Sequence, residues 1–260
     1  MLEYVAYTAP LAIFWLALGV TNYICIAIGS WIRRRFALVP GTPEERALSV
    51  AHGAIFVLTG LILGFSFSYA AARYDARRAL VVEEANAIGT TYLRASNLPG
   101  AAADQFRAIL RDYAMARLAV YLNLQDPRTS QTMERRSTAV QDHLWSILVS
   151  AERSDTRNVP FGLLTQALNH MIDVHAEQSA ALKTHLPSAM LALVLVVSIV
   201  ATMLVGVHFE RLRGVQTFLG LVVALLLATV VTGIVDLDRP QLGLVRVNLS
   251  PLQAQLDDMR

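Results

Sequence analysis

Ser49–Asn86, SVAHGAIFVLTGLILGFSFSYAAARYDARRALVVEEAN, is the stretch from which the fold can be read. Its first half is almost purely apolar from Ala51 to Ala72, and its second half carries Arg73, Asp75, Arg77, Arg78, Glu83 and Glu84 among helix-forming residues. No proline interrupts it, and membrane helices tolerate glycines such as Gly53, Gly60 and Gly64. An apolar helix of about 22 residues rises about 33 Å, enough to cross the hydrocarbon core of a bilayer. The stretch therefore predicts one long helix that leaves the membrane near Arg73 and continues as a polar stalk.

Outward from this helix, the apolar residues are gathered in long runs near both ends of the chain. The 260 residues are 55% hydrophobic and 16% charged, too apolar for an ordinary soluble domain and too charged for a wholly embedded one. A first span is predicted over about 8–32, with Pro10 early in the helix and Trp31, Arg33, Arg34 and Arg35 at its interfacial end. Pro40, Gly41 and Pro43 break the chain before the second span, and Thr42 with Glu45 forms a capping-box pattern that starts it. A third span over about 187–207 opens at Pro187. A fourth, over about 215–235, follows a tight loop containing His208, Glu210, Arg211 and Arg213. Gly214, Gly220, Ala224 and Ala228 give the fourth span a small face suited to close helix contact.

Between spans two and three the patterning is helical, with stops at Asn97–Gly100, Gln125–Pro127 and Ser154–Pro160. Helices are expected over roughly 74–97, 101–124, 129–153 and 161–185. Phe106, Leu110, Tyr113 and Arg117 fall at helical spacing, as do Val140, Leu144, Ile147 and Leu148, and such stripes are ordinarily helix-packing surface. The fold class is thus all-α: a four-span helical membrane protein with a four-helix extramembrane insert. The expected domains are 1–73 (spans one and two), 74–186 (the insert with its stalk), 187–236 (spans three and four) and a short tail, 237–260.

Residues Tyr74–Leu186 hold 12 Lys and Arg against 12 Asp and Glu, a balance that offers no basic face to nucleic acid. The single cysteine, Cys25, lies in the first apolar run and excludes an intrachain disulfide. Met1–Thr8 has no Lys or Arg and the run after it is too long for a signal peptide, so the N-terminus is expected to be retained. Arg33, Arg34, Arg35, Arg46, Arg211 and Arg213 in the short loops place those loops in the cytoplasm and the insert outside; Arg73, Arg77, Arg78, Lys183 and Arg239 pull the other way.

Two arrangements bear on function. The ends of spans two and four reach the same interface, which gathers Arg73, Arg77, Arg78, Glu83 and Glu84 near Asp236, Asp238 and Arg239. Such a collar either fixes the stalk by salt bridges or forms an ion vestibule that selects by sign. On the second span, Leu58, Ile62, Phe65, Tyr69 and Arg73 form a helical stripe flanked by Ser66 and Ser68. It is either lipid-facing or packing surface, or a hydrophobic constriction with Arg73 at its mouth.

The remaining candidates are slight. His170, Asp173, His175 and Glu177 share one expected helix, where a solvated face outweighs a metal site because His175 points away from the others. His52 and His208 lie near the membrane boundaries and can titrate near neutral pH. No nucleophile elbow, phosphate loop, zinc-protease helix or dinucleotide fingerprint occurs, so neither an enzyme nor a cofactor or metal is expected.

At Leu63–Ala95, LGFSFSYAAARYDARRALVVEEANAIGTTYLRA, and again at Asp236–Val247, DLDRPQLGLVRV, the chain resembles a family of bacterial membrane proteins described as bestrophin-like. It is more distantly similar to the bestrophin anion channels, through Leu63-Gly64-Phe65 and Arg73-Tyr74-Asp75-Ala76-Arg77. The resemblance implies a homo-oligomer, a pentamer as in bestrophins, in the bacterial inner membrane, conducting small anions such as chloride along span two. It implies Ile62, Phe65 and Tyr69 as pore-neck residues and Arg73 at the pore mouth. Ser66, Phe67 and Ser68 replace the polar residues that follow this Gly-Phe in prokaryotic bestrophins. Only Asp236 and Asp238 stand where calcium-gated animal members carry a dense acidic run, which argues against a calcium clasp. The resemblance also implies a cytoplasmic insert, opposite to the side given by the loop charges. With the insert outside, the alternative function is a non-conducting sensor or interaction protein whose four-helix insert binds a ligand.

Overall fold

A computed structural model describes residues 10–36, 42–154, 158–209, 212–239 and 243–260. Pro40, Gly41, Glu210, Arg211 and Pro240, and part of the stop at Ser154–Pro160, lie outside the described residues. The described chain is helical, without a strand: α1 Leu11–Arg35, α2 Pro43–Arg94, a 3-10 turn Ala95–Asn97, α3 Ala101–Leu122, α4 Pro127–Ser154, α5 Asn158–Lys183, α6 Ser188–Val207, α7 Val215–Asp238 and α8 Ser250–Asp258.

The helix boundaries follow from local chemistry. Thr42 Oγ1 accepts from the Glu45 amide at 3.3 Å, satisfying one of the free donors at the start of α2. Pro10 and Pro187 stand at the N-caps of α1 and α6, where a missing N–H loses nothing. Gly100 and Gly214, at φ 51° and 53°, precede α3 and α7 in a backbone conformation that glycine adopts without strain. Gly214 therefore supplies the turn into α7 and is not part of the small face expected on the fourth span; Gly220, Ala224 and Ala228 make up that face and are buried.

The chain forms two compact units, residues 1–73 with 185–239, and residues 74–184 with 240–260. Four stretches are long and apolar enough to cross a membrane: Leu11–Arg35, Glu45–Asn97, Phe161–Val207 and Val215–Asp238.

In the first unit α1 packs on α6 and α7. A Cβ added to Gly206 would lie 2.0 Å from the Ile26 carbonyl oxygen, and one added to Gly29 would lie 2.0 Å from that of Met203. The two backbones thus touch where only glycine fits, the packing that membrane helices use in place of hydrophobic burial. Polar contacts join the same helices: Asn22 donates to the Ala224 carbonyl at 3.4 Å, Ser198 donates to Asn22 at 3.2 Å, and Arg33 donates to the Val207 carbonyl at 3.1 Å.

The second unit has its own core. Ile88 from α2, Phe106, Leu110 and Tyr113 from α3, Leu144 from α4 and Leu168 from α5 are fully shielded in it. The expected stripes on α3 and α4 are the packing faces. The tail, which the sequence presents as a short segment with weak amphipathic character, adds Leu252 and Met259 to this core through α8.

Candidate functional site

The two faces of α2 within the first unit are distinct. Thr59, Leu63, Ser66 and Ala70 recur at steps of three or four residues and are buried. Ser66 and Thr59 return their hydroxyls to the carbonyls of Ile62 and Ile55, which removes their polar cost inside an apolar segment. Ile62 lies at the edge of the buried face and packs against the core around Leu63 and Ile234.

Phe65 and Tyr69 belong to the opposite side and are 65% and 42% exposed; Leu58, on the same stripe, is exposed as well. Beside them run Gly60, Gly64, Ser68 and Ala72, one helical turn apart and all exposed. A Cβ placed on Gly60 or Gly64 would meet nothing within 4 Å.

The charged residues divide among four arrangements. Arg73 Nε pairs with Asp238 Oδ1 at 3.0 Å. The other oxygen of Asp238 accepts from the Leu186 amide at 2.6 Å, and His185 stands 3.8 Å from it. Asp238 is fully buried, so this pairing is what makes its charge tolerable. Asp236 and Arg239 are buried in the same unit.

Arg77 and Glu84 serve the second unit. Arg77 donates to the carbonyls of Ala181 and Thr184 at 3.2 and 2.8 Å, capping the end of α5. Arg78 and Glu83 are exposed and line one surface of α2 with Asp75 and Asn86.

Glu84 lies inside the second unit. Its Oε1 accepts from Arg117 Nε at 2.5 Å, with both side chains wholly buried. The same guanidinium reaches Glu134 Oε2 at 2.6 Å and donates to Gln178. Glu134 in turn accepts from Ser179, stands 3.1 Å from His175 Nε2, and His175 Nδ1 is 2.7 Å from Gln141. Burial works against the Arg117 charge, but the Glu84 carboxylate and its other neighbours more than offset this and push its pKa up. Burial alone would raise the Glu134 carboxyl; the hydrogen bonds from His175 and Ser179 and the Arg117 charge outweigh it and hold the group down to about 2. The sequence reads Arg117 only as part of a packing stripe with Phe106, Leu110 and Tyr113; a charge within an apolar stripe is the one signal that points to a buried ion pair. Its partners, 33, 17 and 61 residues away, were not visible.

A cavity of about 360 Å³ opens beside this network, with Val120, Leu124 and Leu182 as apolar wall and Glu134, Arg135 and Lys183 as charged rim. His170 reaches Glu83 at 3.8 Å on the surface while His175 is buried on Glu134, so the histidine-acid set seen in the sequence is split. Among the described residues no cluster of three or more His, Cys, Asp or Glu could hold a metal ion. The structure does join His52 and His208, whose rings lie edge to face at 4.4 Å.

Glycine-mediated helix contacts and apolar helices of membrane-crossing length define a multi-span helical membrane protein. A family model described as the bestrophin-like domain matches residues 23–252, and the chain belongs to the bestrophin-like family. Crystal structures of mutated forms of a bacterial bestrophin homologue from Klebsiella pneumoniae have the same fold. One gives a TM-score of 0.67 at 14% identity, with 96% of each chain covered. Another gives 0.68 at 16%, with 96% of this chain and 93% of that chain covered. A third crystal structure, described as that of a membrane protein, gives 0.69 at 15%, with 96% of each covered. No curated protein matches the sequence.

Proposed function

We propose that the protein is a homo-oligomeric channel, a pentamer by analogy with bestrophins, that passes small anions such as chloride through a conduit lined by α2. The observation that carries this reading is the bareness of α2. Only 11% of its most apolar window is buried, against 28%, 44% and 33% for the other three membrane-crossing stretches. A lipid-facing helix would also be bare, but it would have no use for the Gly60–Gly64–Ser68–Ala72 row. Small residues at four-residue spacing let a neighbouring helix approach closely. A copy seated there leaves the adjacent Leu58, Phe65 and Tyr69 stripe to face a shared axis, as stacked apolar rings that gate by dewetting. Ile62 sits at the margin of this neck.

Of the mouth candidates, Arg78 and Glu83 have the exposure needed to meet a passing ion. Arg73, Arg77, Glu84 and Asp238 are engaged by contacts within their own units, and Asp236 and Arg239 are buried. Purified protein reconstituted in planar bilayers under a chloride gradient is expected to show a reversal potential near that of chloride. Absence of anion current, or a monomer in detergent, contradicts the reading.

A second reading draws on the cavity at Val120, Leu124, Glu134 and Lys183. An insert that binds a small molecule there would sense for a partner protein rather than conduct. Reporter fusions near Asn123 and Arg35 separate the two: an external insert favours sensing, a cytoplasmic one favours the channel.

A further inference from the structure

A second cavity, of about 440 Å³, lies at the end of α1, and the anion-pathway reading makes no use of it. Ala27, Ser30 and Arg34 line it from one face of α1, and Leu212 and Arg213 close it from the segment before α7. Ser30 is 1% exposed, and its hydroxyl has no hydrogen-bond partner among the described residues. A buried hydroxyl left unpaired is destabilising, and each such group calls for a missing partner. Arg34 and Arg213 are exposed and form none of the ion pairs among the described residues. Arg33, next to Arg34 in sequence, is spent on the Val207 carbonyl.

We propose that this cavity binds the phosphate group of an anionic membrane phospholipid. Two guanidinium groups and one hydroxyl donor match phosphate oxygens, which arginine engages through paired hydrogen bonds. Ala27 and Leu212 supply the apolar wall that an acyl-bearing ligand needs beside its headgroup. Trp31 and Phe36, 56% and 71% exposed at the same end of α1, are aromatic residues of the kind that mark headgroup depth. The bound lipid would tie α1 to the α6–α7 connection and give Ser30 its partner.

The test uses the full chain, delipidated in neutral detergent and titrated with short-chain phosphatidylglycerol, with bound lipid counted by native mass spectrometry. Saturable binding is expected, weakened about tenfold by Arg34→Gln or Arg213→Gln and about fivefold by Ser30→Ala. Arg34→Lys retains part of it, which separates lost charge from lost fold. Arg35→Gln, outside the cavity, leaves it unchanged. Inorganic phosphate that competes shows the phosphate itself to be recognised; phosphate that does not compete shows that the whole lipid is required, and both agree with the proposal. Equal binding of phosphatidylcholine, unchanged binding in the two glutamine variants, or an equal loss in Arg35→Gln overturns it. None of these readouts depends on conductance.

Discussion

Arg117 and Glu84 meet at 2.5 Å with neither side chain reaching solvent, and Glu134 and Gln178 complete the guanidinium's set of acceptors. Removing the cation leaves a carboxylate buried and unpaired. Arg117→Met is therefore expected to destabilise the insert by about 3–5 kcal/mol. The double variant Arg117→Met/Glu84→Gln should regain part of that, because the stranded charge is gone. Thermal unfolding followed by circular dichroism on the full chain reads both. An unchanged midpoint in Arg117→Met would show that the network carries little stability.

Acid stability follows from Glu134. Its carboxyl titrates near 4.5 when unperturbed and is held down to about 2 in the folded protein. A depressed folded pKa gives stability that is fully present above the unfolded value and is lost as pH falls through the folded one. The unfolding midpoint of the native chain should therefore decline between about pH 4.5 and about pH 2, and Glu134→Gln should decline less steeply. Parallel curves for the two proteins would assign the acid sensitivity to other carboxylates.

The backbone contact between α1 and α6 leaves no room for a methyl group. Gly206→Ala places a Cβ 2.0 Å from the Ile26 carbonyl oxygen, so one helix must move. Expected outcomes are a lower melting temperature in detergent and a broadened elution profile. Gly53→Ala, with nothing within 4 Å of the added carbon, serves as the control and should behave as native.

If copies of the chain meet along α2, filling its small row should separate them. Gly60→Leu with Gly64→Leu is expected to shift the particle mass toward the monomer in detergent, with helix content retained. A double variant that keeps the native mass would place the contact elsewhere.

Much of this fold could be read in advance because membrane helices announce themselves through length and apolarity alone. Pro10, Thr42 and Pro187 mark helix starts by chemistry that acts within a turn or two, so these too were legible. Two helices of the second unit, expected over 101–124 and 129–153, run Ala101–Leu122 and Pro127–Ser154 for the same local reasons. Tertiary pairings were not legible. The sequence gathers Arg73, Arg77, Glu84 and Asp238 in one collar without giving their individual partners: Arg73 pairs with Asp238, Arg77 caps α5 and Glu84 pairs with Arg117. Sequence spacing fixes the face of a helix on which a charge lies; which partner it finds depends on how other helices pack. Gly214 illustrates a different failure, since its positive φ, and not its size, determines its place.

In the proposed channel Phe65 faces a water-filled passage shared by several copies. This is tested most directly by thiol modification during recording. In a Cys25→Ser background, Phe65→Cys carries the sole thiol, and a charged, water-soluble thiol reagent is added while chloride current is measured. The current should fall steeply and recover on reduction, with the Cys25→Ser parent unaffected. A current that persists while mass spectrometry shows the thiol fully modified would place Phe65 outside the conduction path.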